Sequence, residues 1–292
     1  MSESPRFVLV AGATGCLGRH VVRGLRARGA RVRMLSRRRA PGTIAMPADD
    51  GIEFARGDVL DPASLRGTCD GVDAVISCVG ASLDLYAVRD RLSYTRVDAG
   101  GNLALVEAAR AAGVRRFAYV SVFATPGIEE TAYVRAHREV ERALAAGFFD
   151  ARIIRPTGFF GFLDEFVRMA RRGVAPLVGD GSARTNPVDE ADVAEFVADA
   201  FAGDEKLVEV GGPDVLSRAE IAGLAAAAVG KKVRVVRSSP AAWKAASRVL
   251  TRLQPRLSEL LEFAAVVSTT EAIAPRRGRR RLEDHFREVA RA

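Results

Sequence analysis

The chain has 292 residues, of which 48% are hydrophobic, and its 44 basic and 36 acidic residues give a formal net charge of +8. This length and composition suit one large α/β domain with a smaller annex. The three cysteines lack CxxC spacing, which excludes the usual zinc and disulfide patterns, and no apolar run reaches the roughly 18–20 residues of a transmembrane helix. We therefore expect a cytoplasmic protein without a metal site.

The positive charge is densest in residues 275–292, which contain seven arginines and three acids. The cluster Arg276–Arg281 suits an anionic surface, but charge runs of this kind more often form solvated tails. Aromatic residues do not alternate with these arginines, so the pattern is not that of a nucleic-acid stacking platform. We expect a solvated tail, with peripheral contact to an anionic membrane surface as the alternative, and no nucleic-acid partner.

Predicted strands and helices alternate along the chain. Short apolar runs rich in β-branched residues predict strands, and amphipathic stretches predict helices. The predicted strands lie at residues 7–11, 31–35, 52–55, 74–78, 116–121, 152–155 and 207–210. The predicted helices lie at residues 17–28, 61–67, 94–112, 129–146, 163–171 and 218–228. This alternation predicts right-handed βαβ crossovers and a doubly wound parallel sheet of the α/β class.

The chain divides into two parts. We assign residues 1–237 to one domain, with substrate-side insertions at about 156–190 and 211–237. From residue 238 the alternation gives way to mostly helical sequence, so that residues 238–292 form a C-terminal segment that ends in the basic tail.

A glycine pattern joins the first predicted strand to the first predicted helix. Gly12 permits a tight turn, Gly15 lets the backbone approach a pyrophosphate, and Gly18 lets the helix pack closely on the sheet. The N–H groups and the positive dipole end of that helix attract an anion. The pattern predicts a dinucleotide site of the Rossmann type. We assign the residues between these glycines to the same site: Thr14, Cys16 and Leu17.

The end of the second predicted strand indicates which dinucleotide is bound. In an NAD site an acidic residue near this point accepts the ribose 2′-hydroxyl, but this chain has Ser36, Arg37 and Arg38 there. Guanidinium groups pair with phosphate through charge-assisted hydrogen bonds. The alternative is a set of solvated arginines in an arginine-rich chain. Because an acid is replaced by bases at one position, we expect NADPH as the cofactor.

Two further motifs accompany the glycine pattern, Gly57–Asp61 after the third predicted strand and Ala74–Gly80 at the fourth. Together the three motifs resemble the atypical short-chain dehydrogenase/reductase family, over roughly residues 6–230. The resemblance implies that Asp58 and Val59 flank the adenine. It also implies a cofactor path lined by Cys78, Val79 and Gly80. The alternative is that these are turn and core residues without a ligand.

The resemblance also implies catalytic residues, and here the chain departs from the family pattern. Active relatives carry Tyr-x-x-x-Lys on a helix, in which the tyrosine donates a proton and the lysine lowers the tyrosine pKa. The register places Tyr133 at the tyrosine and His137 at the lysine, so the permanent charge is lost near neutral pH. A structural histidine is the alternative. Ser121 corresponds to the family serine, although that hydroxyl usually falls slightly later, where this chain has Phe123.

The segment after the sixth predicted strand resembles the part of the family fold that lies over the nicotinamide, which adds Pro156 to the cofactor site. Four phenylalanines fall within residues 159–166. Such a run is more often core than pocket, but the carboxyl end of a strand favours the crevice. In sugar-nucleotide relatives an arginine near Arg184 meets a diphosphate; without companion motifs we interpret it as structural or as a modest anion contact. The expected substrate-binding residues are Phe123, Phe159, Phe160, Phe162 and Arg184.

These features predict an NADPH-dependent reductase that transfers hydride to a carbonyl, an enone or a similarly activated group of an apolar or aromatic small molecule. Two alternatives stay open: an NmrA-like NADPH-binding sensor or scaffold without turnover, and an accessory subunit of a membrane complex. His137 and Phe123 favour an alternative, whereas Tyr133 and the aromatic segment favour catalysis. The fold class does not separate these hypotheses.

Overall fold

The computed structural model describes residues 5–37, 51–81 and 92–292. With strands numbered along the chain, its central sheet contains β1 (Phe7–Ala11), β2 (Arg31–Ser36), β3 (Ile52–Arg56), β4 (Ala74–Ser77), β5 (Arg116–Val120), β6 (Asp150–Pro156) and β9 (Leu207–Val210). The order across the sheet is β3-β2-β1-β4-β5-β6-β9, and each neighbouring pair is parallel. The predicted doubly wound α/β sheet is confirmed.

The helices are numbered in the same way. They are α1 (Cys16–Ala27), α2 (Asn102–Ala111), α3 (Pro126–Glu129), α4 (Ala132–Ala145), α5 (Phe160–Arg171), α6 (Glu190–Ala198), α7 (Arg218–Val229), α8 (Pro240–Leu250), α9 (Pro255–Val267) and α10 (Leu282–Arg291). A 3-10 helix at Pro62–Leu65 and a π-helix at Thr95–Gly101 complete the helical elements of the described residues.

Both faces of the central sheet are covered, because its strands are apolar on both sides. Successive side chains of a strand point to opposite faces. In β1, Val8 and Val10 pack in one cluster with α1 and α6, whereas Leu9 and Ala11 pack in another with α2 and α4. All four side chains are fully buried. Burial on both faces is typical of parallel sheets flanked by crossover helices.

The strand order reverses between β1 and β4. The chain runs from β1 to β2 and β3 on one side and then returns to β4 on the other side. In open α/β sheets, ligands bind beyond the carboxyl ends of the strands at such a point. The sheet topology therefore places a crevice at the ends of β1 and β4.

Four short strands that follow β6 form two small sheets. β7 (Val174–Val178) pairs in parallel with β11 (Arg234–Ser238), and β8 (Arg184–Thr185) pairs antiparallel with β10 (Leu216–Ser217). The helices α5, α7 and α10 share one apolar cluster. The domain boundary predicted between residues 237 and 238 falls at the end of β11 and stays a prediction.

Two of the predicted helices each correspond to two helical elements of the structure. The helix predicted at 94–112 starts as the π-helix and continues as α2. The helix predicted at 129–146 is α4, which begins at Ala132 after the separate short α3. Thr131 caps the start of α4, because its side chain accepts a hydrogen bond from the backbone N–H of Val134. Threonine is a favoured residue at this capping position.

The expectation of a solvated basic tail is wrong. Leu282 and Phe286 of α10 are 2% and 0% exposed, and they pack against Phe160 of α5 and Ile221 of α7. The two apolar residues lie four positions apart and therefore share one helix face. Their burial docks α10 onto the body of the protein.

The tail arginines are held by acids of the body rather than by solvent alone. Arg277 pairs with Glu205 at 2.8 Å, and Arg281 pairs with Asp214 at 2.8 Å. Arg280 pairs with Asp192, whose carboxylate also accepts the backbone N–H groups of Arg279 and Arg280. These pairs neutralise part of the charge that would otherwise attract an anionic surface.

No helix within the described ranges is long and apolar enough to cross a membrane. The described residues also contain no group of His, Cys, Asp and Glu side chains that could hold a metal ion.

Candidate functional site

The turn from β1 into α1 can be made only with glycine at two of its positions. Gly12 has a φ of +74°, and a Cβ atom there would lie 2.6 Å from the carbonyl oxygen of Cys78. A Cβ atom at Gly18 would lie 2.1 Å from the carbonyl oxygen of Gly12. The backbone N–H of Gly15 donates to that same carbonyl at 3.0 Å, which closes the turn. The close approaches hold the start of α1 against the end of β4.

The first turn of α1 has the properties of an anion site. Its capping residue, Gly15, provides no side-chain hydrogen bond, and the first turn contains no acid. The N–H groups of a helix start are otherwise unsatisfied and carry partial positive charge. Cys16, the exposed first residue of α1, and the buried Leu17 follow directly. These residues fit the pyrophosphate of a dinucleotide.

A cavity of about 410 Å³ opens at the reversal point of the sheet, and we call it the switch-point cavity. The predicted cofactor residues that line it are Gly12, Thr14, Gly15, Ser36, Arg37, Asp58, Val59, Cys78, Val79 and Gly80. Gly18 lies behind the turn, and Arg38 falls outside the described residues. The structure thus brings together residues that lie in four separate segments of the sequence.

Two polar side chains hold the walls of the switch-point cavity. Asp58 accepts the backbone N–H of Leu60 at 3.0 Å and so fixes the turn after β3. Asn102 accepts the Ser77 hydroxyl at 2.5 Å and donates to the carbonyl of Val79 at 3.2 Å. Asn102 was not predicted from the sequence, because nothing local to α2 indicates that its first residue reaches the end of β4.

The C-terminal segment also reaches the switch-point cavity. Arg256 of α9 lines it and is only 3% exposed. This segment was predicted to be an appended region, because the alternation of strands and helices ends before it. The lining of the switch-point cavity is therefore drawn from more of the chain than the motifs indicated.

A buried polar network lies beside this cavity. The Nδ1 atom of His137 is 2.6 Å from the Tyr119 hydroxyl, and its Nε2 atom is 3.6 Å from Oδ1 of Asp98. Asp98 is fully buried and accepts the backbone N–H of Ala81 at 3.2 Å. A neutral imidazole has one donor and one acceptor nitrogen, so a phenol that donates to Nδ1 leaves the ring proton on Nε2, facing Asp98.

This network carries no permanent charge near neutral pH. Burial lowers the pKa of His137 to about 3, so the imidazole is neutral. Burial also raises the pKa of Asp98 to about 8, so the carboxyl group holds its proton. His137, predicted at the place of the family lysine, therefore does not supply the positive charge of a lysine.

The raised pKa of Asp98 predicts how the free energy of unfolding depends on pH. An unfolded aspartate ionises near pH 4, so the folded chain holds one more proton at this group until about pH 8. The contribution of Asp98 to stability is complete at low pH and is lost as the pH rises through the folded pKa. His137 is neutral in the folded chain across this range, and its titration in the unfolded chain near pH 6.5 is common to wild type and the Asp98 variant, so it cancels in their difference.

We expect the difference in free energy of unfolding between wild type and Asp98→Asn to change by on the order of 2 kcal/mol between about pH 6.5 and pH 8. Urea unfolding of the NADPH-free chain at several pH values measures it, with the exposed Asp204→Asn as the control. Parallel pH curves for wild type and Asp98→Asn would show that Asp98 is ionised in the folded chain.

Tyr133 lies one helix turn before His137. Its ring contacts Tyr94, His137 and Phe263 at centroid distances of 5.0, 4.8 and 4.7 Å. Its hydroxyl has no hydrogen-bond partner among the described residues. Burial raises the pKa of Tyr133 well above its ordinary value, so the phenol keeps its proton throughout the physiological range.

A second cavity, of about 160 Å³, is lined mainly by apolar and aromatic side chains, and we call it the aromatic cavity. The predicted site residues that line it are Ser121, Phe123, Tyr133, Pro156, Phe159 and Phe162. Phe160 instead faces the core and is 1% exposed. Arg184 is exposed and donates to the carbonyl of Val215. Phe160 and Arg184 therefore lie apart from the other predicted substrate residues.

Ser121 is tied to a buried ion cluster. Its hydroxyl donates to Oε1 of Glu141 at 2.5 Å, and the same carboxylate pairs with Arg138 at 2.7 Å and Arg155 at 2.6 Å. Burial raises the pKa of Glu141, but the hydrogen bonds from Arg155 and Ser121 outweigh it and leave the pKa below its usual value. The Ser121 hydroxyl therefore donates its hydrogen bond to Glu141, and its oxygen can only accept a hydrogen bond from another group.

The two cavities are joined by the buried network. Gly80 and Ala81 line the switch-point cavity, and the carboxyl group of Asp98 binds the N–H of Ala81. Asp98 faces His137, whose ring packs on Tyr133 at the aromatic cavity. A path of contacts therefore runs from the expected cofactor position to the expected substrate position.

Comparison with known proteins agrees with this geometry. Residues 12–204 match the model of the NAD(P)H-binding family. The chain is 31% identical over 234 residues to divinyl chlorophyllide a 8-vinyl-reductase of Zea mays, covering 73% of this chain and 56% of that protein. It is 33% identical over 186 residues to the ceramide reductase of Caulobacter vibrioides, covering 62% of this chain and 56% of that protein. The chain thus spans little more than half the length of these relatives.

Solved structures show the same fold. The NADPH complex of an NADPH-dependent quinone oxidoreductase from Escherichia coli has a TM-score of 0.71 and 20% identity, covering 97% of this chain and 99% of that chain. The family match extends over more than half of the chain. This chain therefore belongs to the NAD(P)H-binding family, in the atypical short-chain dehydrogenase/reductase branch that its motifs predicted.

Proposed function

We propose that the protein is an NADPH-dependent reductase that transfers hydride to a carbonyl, an enone or a similarly activated group of an apolar or aromatic small molecule. The observation that carries this proposal is the position of Tyr133, a protonated phenol without a hydrogen-bond partner among the described residues, in the wall of an apolar cavity. Similarity to two proteins that are named as reductases supports it.

The residues of the switch-point cavity hold the cofactor, which supplies the hydride when bound. The N–H groups at the start of α1 bind the pyrophosphate, and Ser36 and Arg37 bind the 2′-phosphate. Asp58 and Val59 flank the adenine. The backbone after β4, held by Asn102, positions the nicotinamide half.

Tyr133 donates the proton to the substrate oxygen. Its raised pKa keeps the phenol intact, and the residue predicted at the place of the family lysine does not stabilise the phenolate, since His137 is neutral. The phenol therefore gives up its proton only to a strong base. An alkoxide is a stronger base than a phenolate, so reduction of a carbonyl to an alcohol suits this site better than a reaction that ends in a weakly basic anion.

We expect NADPH to bind at least about tenfold more tightly than NADH, because one charge-assisted phosphate contact contributes on the order of 1.5–3 kcal/mol. The Arg37→Ala variant should lose this preference. Arg31→Ala is the matched control, since Arg31 lies at the opposite end of β2 and pairs with Glu53. Calorimetric titration of both cofactors measures the ratio, and equal affinities in the wild type would refute the assignment to NADPH.

The second candidate function is an NADPH-binding sensor without turnover. The neutral His137 favours it, because the permanent positive charge beside the tyrosine is missing. A panel of quinones, enones and aromatic ketones distinguishes the two functions through NADPH oxidation. Oxidation with any member supports the reductase, whereas tight NADPH binding without oxidation across the panel favours the sensor.

A further inference from the structure

The aromatic cavity contains one cationic side chain that the proposed hydride transfer does not use. Arg218, the first residue of α7, lines this cavity together with Tyr133 and Phe263. Among the described residues of the lining, Arg218 is the one that carries a charge, and none is a carboxylate. A single cation thus faces an apolar space next to the expected proton donor.

The positive charge of the Arg218 guanidinium is poorly compensated by surrounding polar groups. Its Nη2 atom donates to the carbonyl of Val267 at 2.7 Å, while its Nε atom is shielded from solvent and has no hydrogen-bond partner in the described part of the chain. Burial lowers its pKa to about 10, and no neighbouring carboxylate acts against this effect. An unpaired buried charge is costly, so such a group normally has an ionic partner.

The nearest acid along α7 is engaged elsewhere. Glu220 accepts the backbone N–H of Ser217 at 2.7 Å, and the Ser217 hydroxyl accepts the N–H of Glu220 in return. This capping box satisfies the start of the helix and leaves Arg218 without the carboxylate. The positive end of the helix dipole further disfavours a cation at this position. The described part of the protein therefore holds Arg218 in a position that an incoming anion would stabilise.

We propose that Arg218 binds the carboxylate of an apolar substrate acid, whose body lies among the aromatic side chains and whose reducible group lies beside Tyr133. This inference rests on the proposed reductase function and names its substrate class: a keto or conjugated monocarboxylic acid with an aromatic or short aliphatic body. A guanidinium matches a carboxylate through paired hydrogen bonds.

Charge and size both favour a carboxylate. A monoanion neutralises the single cation, whereas a phosphate dianion would leave a net negative charge in an apolar space. The cavity volume of about 160 Å³ is close to that of apolar protein cavities that accept a benzene ring. The same reasoning disfavours a sugar-nucleotide diphosphate at this position.

Matched pairs of acid and amide test the inference. Benzoate and benzamide, phenylacetate and phenylacetamide, and hexanoate and hexanamide are titrated calorimetrically at neutral pH into the full chain saturated with NADPH. We expect at least one acid to bind about tenfold more tightly than its amide, the effect of one charge-assisted contact. Arg218→Met should abolish the preference, and the exposed Arg234→Met on β11 should keep it.

Stability provides the control for correct folding. Because Arg218→Met removes a partly buried cation that has no ion pair among the described residues, we expect its melting temperature to equal or exceed that of the wild type. A loss of acid binding with the melting temperature maintained supports the inference. It is overturned if no acid binds more tightly than its amide, including the case in which none binds, or if Arg218→Met keeps the preference.

The assay also separates this inference from the reductase proposal, because it requires no turnover. A wild type that prefers acids but oxidises NADPH with no keto or conjugated acid supports the carboxylate site and argues against the reductase. A wild type that reduces ketones without preferring acids supports the reductase and overturns the carboxylate site.

Discussion

The Tyr133→Phe variant is expected to transfer hydride roughly 10²–10⁴-fold more slowly than the wild type, with nearly unchanged NADPH affinity. The substitution removes only the transferred proton, because the ring keeps its contacts with Tyr94, His137 and Phe263. Tyr133 also lies outside the lining of the switch-point cavity. Single-turnover measurements with a substrate from the ketone panel give the rate of the chemical step directly.

Tyr94→Phe is the matched control for this experiment. The Tyr94 ring packs edge-on against Tyr133, and within the described ranges its buried hydroxyl has no hydrogen-bond partner. Loss of that hydroxyl should leave the rate close to wild type. Full activity of Tyr133→Phe would mean that solvent or another residue donates the proton. Equal losses in both variants would point to ring packing rather than to proton donation.

The Phe286→Ala variant is expected to lower the free energy of unfolding by about 3–5 kcal/mol, the usual cost of truncating a fully buried phenylalanine. Phe286 is 0% exposed in the cluster shared by α5, α7 and α10. Urea unfolding at neutral pH measures the change. Arg287→Ala is the control, because Arg287 is half exposed and pairs with acids of its own helix. Surface pairs of this kind contribute about 0–1 kcal/mol.

This result would also connect the tail to the substrate side of the molecule. α5 carries Phe162 and α7 carries Arg218, and both residues line the aromatic cavity. α10 packs on these two helices. If Phe286→Ala and Arg287→Ala have equal stability, α10 does not dock on the body of the protein in solution. The hypothesis of a solvated tail, which the charge pattern favoured, would then be correct.

The cofactor half of the site was predictable from the sequence because its determinants are local. One strand, one turn and one helix contain Gly12, Gly15 and Gly18. A Cβ atom at Gly15 or Gly18 would meet the carbonyl oxygen of Gly12 in the same turn, whereas one at Gly12 would meet the distant Cys78. Alternating strand and helix signals then predicted the sheet, since parallel strands require crossover helices. Right-handed crossovers bring the strand ends to one edge, where Ser36, Asp58 and Cys78 meet.

The substrate half depended on packing between distant segments. Tyr133, Arg218 and Phe263 line one cavity although they come from three helices far apart in the chain, and no local pattern links them. The ionic partners of the arginines were equally difficult to predict from the sequence. The arginine-rich tail is held by Glu205, Asp192 and Asp214, whereas one arginine inside α7 has no ion pair among the described residues.

The sequence by itself therefore determined the family, the sheet and the dinucleotide turn, because glycine sterics and hydrophobic periodicity act over a few residues. Only the tertiary structure decided the state of the polar groups. His137 is neutral, Asp98 is protonated and Arg218 is poorly compensated because of burial and of the groups that surround each side chain. Burial depends on contacts between segments that are distant in the chain, so the local sequence around each of these residues does not predict its protonation state.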